Sequence, residues 1–130
     1  PYTGALNRFY DELKNDWTVE VVDGSVSAGR RNRIFKSFQE EKDPRVILAH
    51  PGTMAHGLTL TAATTIVWAA PVTSTETFLQ ANARISRPGQ TKTAHIVMLH
   101  GSAVERRLYQ TLKDRRRLQE LVLELAREKR

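Results

Sequence analysis

The spacing of apolar residues divides the chain into eight segments of two kinds. Apolar side chains recur every three or four positions, as on the buried face of a helix, in residues 3–15, 28–41, 74–86 and 103–127. Short continuous apolar runs, typical of buried strands, occupy residues 19–22, 45–49, 65–68 and 94–98. Because the two kinds alternate along the chain, the sequence predicts an α/β fold in three layers, a parallel sheet with helices on both faces.

Turn-forming residues follow three of the predicted strands. Asp23-Gly24-Ser25, His50-Pro51-Gly52 and Ala70-Pro71 each come directly after a strand. The carboxyl ends of parallel strands meet at one edge of a sheet, and ligands of such folds bind there. Gly52 and Gly57 would let the backbone come close to a phosphate or a sugar. The sequence therefore predicts a binding site at this edge.

Residues 80–90, Gln-Ala-Asn-Ala-Arg-Ile-Ser-Arg-Pro-Gly-Gln, carry the strongest chemical signal. On a helix, the spacing of Gln80, Arg84 and Arg87 would place all three side chains on one face. Two guanidinium groups near a helix end can grip phosphate oxygens through paired hydrogen bonds. The alternative is a solvated basic face that happens to end a helix. The residues of this segment do not by themselves decide between the two.

Composition limits the classes of protein to consider. The chain has 130 residues, a net charge of +6 and no cysteine, so we expect one domain without disulfides or thiolate-bound metal. No apolar run approaches eighteen residues, which argues against a membrane span. Residues 105–130 contain nine Lys or Arg against five Asp or Glu, and this basic segment either binds a polyanion or is a solvated helix face.

Histidine and tryptophan give weaker signals. The four histidines, at positions 50, 56, 95 and 100, have no spacing that fits a zinc site, so no metal is predicted. Trp17 and Trp68 are both expected in the core, although Trp68 at a strand end could also stack on a base.

Four motifs in order resemble a known family. Gly57-Leu-Thr-Leu-Thr-Ala-Ala63, the segment from Gln80 to Gln90 and Gly101-Ser-Ala-Val-Glu-Arg106 follow an earlier Asp23-Gly-Ser25 with Arg31 and Phe38. Together they resemble the second RecA-like lobe of superfamily 2 helicases, and more narrowly the Swi/Snf-like DNA-dependent ATPases. The resemblance covers roughly residues 2–112. Departures at His50-Pro51, Thr59, Ala83 and Ser86 suggest a divergent branch. The versions His50-Pro51 and Arg87-Pro-Gly-Gln90 look most like those of phage-encoded helicases.

The resemblance implies roles for particular residues. Arg84 and Arg87 would be arginine fingers for an ATP, and Gln80 would orient its γ-phosphate or the attacking water. Gly57 and Thr59 would lie near the ribose of the nucleotide. Ser25, His50 and Gly52 would contact the backbone of a nucleic acid. The charge pattern, rather than the resemblance, makes Arg115, Arg116 and Arg117 on the C-terminal helix candidates for further phosphate contacts, with a solvated helix face as the alternative.

The resemblance also implies a division of the chain and of the protein. Residues 1–112 would form the C-terminal lobe and residues 113–130 a basic helical extension. Family members begin this lobe with an apolar strand that is expected to be absent here, so we interpret the chain as a fragment; a variant that never had the strand is the alternative. The sequence contains no Gly-x-x-x-x-Gly-Lys-[Ser/Thr] loop, so ATP with Mg²⁺ would be bound mainly by an N-terminal lobe, and this chain by itself should not hydrolyse ATP.

Two functions remain open at this stage. The first is the C-terminal motor lobe of an ATP-dependent helicase or translocase, and its expected substrate is duplex DNA bound without sequence preference. The second is a non-catalytic nucleic-acid-binding or regulatory module of the same fold. The expected location is the cytoplasm, in a bacterial host if the protein is phage-encoded, or the nucleus if it is eukaryotic.

Overall fold

Helices and strands alternate as the sequence predicts. The computed structural model describes residues 2–54, 59–72 and 74–128. In chain order the elements are α1 (Tyr2–Leu13), β1 (Val19–Val22), α2 (Ala28–Glu41), β2 (Val46–Ala49), a 3₁₀ turn (Pro51–Met54), β3 (Thr65–Trp68), α3 (Thr75–Asn82), β4 (His95–Met98) and α4 (Ala103–Glu128). The predicted α/β class, with parallel strands flanked by helices, is confirmed.

The four strands form two parallel pairs. β1 pairs with β2 so that Val19 lies opposite Val46, and β3 pairs with β4 so that Thr65 lies opposite His95. No ladder joins the two pairs within the described residues, whereas the sequence predicted one sheet. An apolar run indicates that a strand is buried but does not indicate which strand it pairs with, so the number of strands was predictable and their grouping was not.

Two groups of buried side chains form the core. The first contains Val22, Ile34, Phe35, Leu60 and Ile85, and the second contains Trp68, Phe78, Ala81, Tyr109 and Leu112. Met54 and Ile66 pack against both groups, so the two strand pairs share continuous packing. Burial of each large apolar side chain contributes roughly 1.5–3 kcal/mol, which makes these contacts the main source of stability.

Serine side chains cap the two helices that follow the candidate binding loops. Ser27 Oγ accepts a hydrogen bond of 3.2 Å from the amide of Arg30 at the start of α2. Ser74 Oγ accepts one of the same length from the amide of Thr77 at the start of α3, which confirms one of the two predicted caps. Each cap satisfies an amide that has no partner inside the helix, and so fixes where the preceding loop ends.

The C-terminal helix is packed along only part of its length. Tyr109 and Leu112 are buried, and the Tyr109 hydroxyl donates to the carbonyl of Trp68 at 3.1 Å. Beyond Leu112 the predicted apolar stripe is exposed, with Leu118 at 61% and Leu125 at 50%. The spacing of this stripe predicts packing either on the domain itself or on a partner lobe. The first does not occur among the described residues, and the second stays a prediction. The helix itself continues without a break across the predicted boundary at residue 112.

The two tryptophans lie in different environments. Trp68 is 5% exposed, and its indole Nε1 donates to Asn82 Oδ1 at 2.9 Å, so the core prediction is confirmed. Trp17 is 46% exposed, and the Cζ atom of Arg45 lies 5.6 Å from its ring centroid, so the core prediction is wrong there. Trp17 precedes β1 rather than lying within it, and the arginine covers a ring face by a cation–π contact instead.

Candidate functional site

The loops after β2 and β3 meet at one edge of the fold. They line a cavity of about 250 Å³ formed by His50, Pro51, Gly52, Pro71, Val72, Ser74 and Thr77. This is the edge formed by the carboxyl ends of the strands, where the sequence predicts ligands to bind. Ser74 and Thr77 also line this cavity, although the sequence did not predict them as site residues. A residue at the start of a helix has no sequence feature that shows whether it also lines a cavity.

The local geometry at His50 is set by its own loop. His50 Nδ1 accepts a hydrogen bond of 3.2 Å from the amide of Gly52, so in the neutral ring the proton is on Nε2. The carbonyl of His50 accepts bonds from the amide of Thr53 at 2.9 Å and from its hydroxyl at 2.7 Å. A Cβ atom at Gly52 would lie 3.3 Å from Nδ1, a tight contact, so glycine allows the amide to approach the ring. Two of the predicted nucleic-acid contacts are thus adjacent and hydrogen-bonded.

Ser25 is bound to its neighbour Asp23. Its amide and its hydroxyl both donate to Asp23 Oδ1, at 2.9 and 2.5 Å. The Ser25 side-chain hydrogen bond, then the amide bond and, more weakly, the nearby His50 hold the pKa of Asp23 below its ordinary value. Because the hydroxyl has a single proton, Ser25 would have to release Asp23 before it donated to a phosphate oxygen.

The predicted arginine face has a different geometry. α3 ends at Asn82, and the amides of the next two arginine-segment residues bond three residues back, Arg84 N to the carbonyl of Ala81 at 3.2 Å and Ile85 N to that of Asn82 at 3.4 Å. Arg84 and Arg87 therefore lie beyond the helix, and the prediction of one helical face shared with Gln80 is wrong. Pro88 disfavours helical geometry at the residue before it, which explains why the regular helix does not continue through Arg87.

Arg84 is buried rather than displayed on the surface. It is 8% exposed, and its Nε donates to the carbonyl of Met54 at 3.0 Å. Burial, and secondarily the positive charge of Arg87, lower the pKa of Arg84. Two guanidinium groups in one segment can together bind an anion such as a phosphate. Arg87 itself is half-buried.

Gln80 lies on α3, one turn before Arg84. Its Nε2 donates to Glu76 Oε1 at 3.0 Å along the same helix, and the side chain is half-buried. The structure thus places all three predicted catalytic residues in one segment, with the amide donor of Gln80 directed to a carboxylate.

The loop predicted to contact the nucleotide is tied to the arginine segment. Thr59 is exposed, and Gly57 lies outside the described residues. The amide of Leu60 donates to the carbonyl of Arg84 at 2.8 Å. Gln90 Nε2 donates to the carbonyls of Ala63 and Ile85, each at 2.9 Å. Gln90, the last residue of the segment from Gln80, therefore joins that segment to the end of the motif Gly57-Leu-Thr-Leu-Thr-Ala-Ala63.

The three C-terminal arginines do not share a face. Consecutive helical residues are about 100° apart, so Arg115, Arg116 and Arg117 point in different directions. Arg116 Nε lies 3.8 Å from Glu120 Oε1, whereas Arg115 and Arg117 are exposed. The described residues that line the His50 cavity include none from α4.

Neither a metal-binding cluster nor a membrane-spanning helix occurs in the described part of the chain. No group of three or more His, Cys, Asp or Glu side chains in residues 2–54, 59–72 and 74–128 could hold a metal ion. None of the helices in those ranges has the length and apolar character needed to cross a bilayer.

The parallel strands, the flanking helices and the arginine segment define a class, the RecA-like C-terminal lobes of helicases. The chain belongs to the family of helicase conserved C-terminal domains, whose model matches residues 2–89. It is 32% identical over 124 residues to the zebrafish (Danio rerio) chromodomain-helicase-DNA-binding protein 1-like. That alignment covers 94% of this chain but only 12% of the relative.

Solved structures show the same fold at lower identity. The C-terminal part of the Fun30 ATPase domain superposes with a TM-score of 0.73 at 24% identity, over 83% of this chain and 35% of that one. Dbp5 of S. cerevisiae, in a structure with RNA and ADP BeF3, gives a TM-score of 0.69 at 18% identity, over 85% of this chain and 29% of that one. In both cases the lobe described here corresponds to part of a larger chain.

Proposed function

We propose that this chain is the C-terminal motor lobe of an ATP-dependent DNA translocase or helicase. In this role Arg87 and Arg84 act on an ATP held mainly by an N-terminal lobe, and Gln80 orients the γ-phosphate or the attacking water. The observation that carries the proposal is the arginine pair itself. Arg84, which is buried, and Arg87, which is half-buried, lie in one segment, and that segment is hydrogen-bonded to the loop expected to contact the ribose.

The arginines would act by stabilising the negative charge of the transition state. Mg²⁺ bound with ATP would neutralise phosphate charge, and its ligands would come from the other lobe. A guanidinium group that meets the charge developing on the transferred phosphoryl group accelerates such reactions by roughly 10³–10⁵-fold. Gly57 and Thr59 would contact the ribose, so the lobe would also contribute to nucleotide binding.

DNA is the proposed polyanion. His50 and Gly52, which line the 250 Å³ cavity, would contact its phosphates together with Ser25, which lies outside that lining. Such contacts position a protein without reading sequence. The net charge of +6 supports a polyanionic partner. The 32% identical relative has DNA binding in its name, which favours DNA, whereas the RNA-bound Dbp5 shares only the fold. A remodelling ATPase of this kind would act in the nucleus, and a phage-type helicase would act in the bacterial cytoplasm.

The test is ATP turnover by the full-length protein with Arg87→Ala. We expect DNA-stimulated kcat to fall by roughly 10³-fold or more, with KM for ATP much less changed, because the lost contact belongs to the transition state. Arg33→Ala, which removes the same charge from the exposed surface of α2, is the matched control and should leave turnover unchanged. Near-normal turnover by Arg87→Ala would return this arginine to the solvated-face interpretation.

The second candidate, a non-catalytic nucleic-acid-binding or regulatory module, is favoured by one observation. The Nε of Arg84 holds a backbone carbonyl of its own lobe, which is a structural use of an arginine. In that case the full-length protein would bind DNA but show no DNA-stimulated ATP hydrolysis with or without the substitution.

A further inference from the structure

Gln39 on α2 reaches across to the loop that follows Thr59. Its Nε2 donates to Thr61 Oγ1 at 2.9 Å, and its Oε1 accepts from the amide of Ala62 at 2.9 Å. The side chain is half-buried, and its partners are 22 and 23 residues away along the chain. A glutamine that uses both ends of its amide on adjacent residues fixes the position of a loop, because moving the loop would break both bonds.

The same loop is held from its other side by the arginine segment. We call residues 60–63 the strap. The strap begins with the amide of Leu60, which donates to the carbonyl of Arg84, and ends with the carbonyl of Ala63, which accepts from Gln90. The strap therefore lies between α2 and the segment that carries the two arginines, with hydrogen bonds to both.

We propose that Gln39 is a positioning residue for the arginine pair. It holds the strap, and the strap holds the backbone of Arg84 through Leu60, so a side chain on α2 sets where the guanidinium groups lie. Gln39 contacts neither nucleotide nor nucleic acid in this role. The effect on catalysis rests on the proposed function, whereas the effect on the strap does not.

Two substitutions of Gln39 separate the effect of its hydrogen bonds from the effect of its size. Gln39→Leu keeps a side chain of similar size but removes both hydrogen bonds. Gln39→Glu retains them, since the carboxylate accepts from the amide of Ala62 and also from the Thr61 hydroxyl, which can turn to donate. Glu40→Ala, at the neighbouring exposed position of α2, is the matched control.

The first measurement is hydrogen exchange at residue resolution in the full-length protein. In Gln39→Leu the amide of Ala62 loses its partner and must exchange faster. The amide of Leu60 is bonded to Arg84 and not to Gln39, and we expect it to exchange faster as well, on the order of tenfold. The amide of Val46, the first residue of β2, donates to the carbonyl of Thr18, and its exchange rate should be unchanged. Unchanged exchange at Leu60 would overturn the proposal.

The second measurement is DNA-stimulated ATP turnover. Gln39→Leu should lower kcat on the order of tenfold while KM for ATP stays within about twofold, since displacement of a catalytic group weakens the transition state more than binding. Gln39→Glu should recover most of the loss, and Glu40→Ala should match the unaltered protein. Equal losses in Gln39→Leu and Gln39→Glu, or normal kcat in Gln39→Leu, would contradict a positioning role.

Two further variants keep the outcome decisive. Should Gln39→Leu fail to fold, Thr61→Val removes only one of the two hydrogen bonds. It should raise the exchange rate of the Leu60 amide and lower kcat, both by less than Gln39→Leu would. If neither quantity changed, the proposal would be overturned. Adding Thr61→Val to a folded Gln39→Leu protein should cost little more, because their shared bond is already lost. If Arg87→Ala leaves turnover normal, the proposed catalytic role of Arg87 fails, and exchange at Leu60 still decides whether Gln39 holds the strap.

Discussion

The Nε of Arg84 donates to the backbone carbonyl of Met54 across thirty residues of chain. This bond joins the arginine segment to the end of the 3₁₀ turn that follows β2. A guanidinium group has five donors, so Arg84 can hold this carbonyl and present other N–H groups to a second acceptor. The residue therefore combines a structural contact with the proposed catalytic one, and Arg87 differs from it in being less buried.

Substitution of Arg84 and substitution of Arg87 should have different effects on the stability of the domain. Arg84→Ala leaves the Met54 carbonyl without this donor and should destabilise the domain by about 1–3 kcal/mol, and it should also lower ATP turnover in the full-length protein. Arg87→Ala should lower turnover with little change in stability. Urea denaturation of both variants beside Arg33→Ala tests this split. Equal stabilities for all three would show that the Met54 contact contributes nothing measurable.

Lysine should not replace either arginine. A lysine at position 87 supplies a point charge without the paired donors, so Arg87→Lys should remain far below normal turnover. Recovery of most of the activity by Arg87→Lys would mean that charge alone is sufficient at this position.

The Asp23–Ser25 turn predicts a pH dependence. The pKa of Asp23 is lowered in the folded protein, so its ionised form is favoured by folding, and the associated stability is fully present above the unfolded pKa of about 4. This stability is lost as the pH falls through the lower folded value. Asp23→Asn should therefore flatten the acid side of the stability curve below about pH 4 and leave its neutral part much less altered in slope.

Thermal melting between acidic and neutral pH measures that difference. The control is Asp114→Asn, an exposed carboxylate on α4 that hydrogen-bonds only to Gln110 among the contacts described. If the melting temperature of Asp23→Asn fell with decreasing pH as steeply as that of the unaltered protein, the turn would not stabilise the ionised carboxylate.

The basic part of α4 gives a prediction for DNA binding. If Arg115, Arg116 and Arg117 lie on phosphates, replacing all three by glutamine should weaken binding and reduce the log–log salt slope by up to ~0.9 for each lost duplex contact. Sequence preference should not change, because phosphate contacts do not specify bases. Binding titrations at several salt concentrations measure the slope, and an unchanged slope would assign these arginines to a solvated helix face.

The order of elements was predictable because each depends on local spacing. The expected helix over residues 28–41 matches α2, and Ile34 and Phe35 are buried as their spacing indicates. Residues 19–22 and 65–68 are strands at the expected bounds. In such segments, local preference and burial favour the same structure, so the sequence alone was sufficient.

The features that the sequence predicted wrongly depend on contacts between distant parts of the chain. The spacing of Arg84 and Arg87 fits a helix, but the hydrogen bonds to Met54 and Leu60 belong to a different conformation. The stripe from Leu118 to Leu125 has the spacing of a buried helix face, yet spacing cannot show whether a partner surface is present. Gln39 left one faint signal, since it lies four residues after the buried Phe35 and so places a polar group near the packed face of α2.

The partly packed C-terminal helix has a mechanical consequence. Tyr109 and Leu112 fix one end of α4, and residues 113–128 extend beyond them for about 24 Å at the usual rise of a helix. A rigid rod fixed at one end amplifies rotation, and a tilt of ~10° at Leu112 carries the far end through ~4 Å. The fixed end touches the backbone of Trp68 at the end of β3, so a small tilt of this end relative to that strand would displace the far end of the helix by about the ~3.4 Å rise of one DNA base pair.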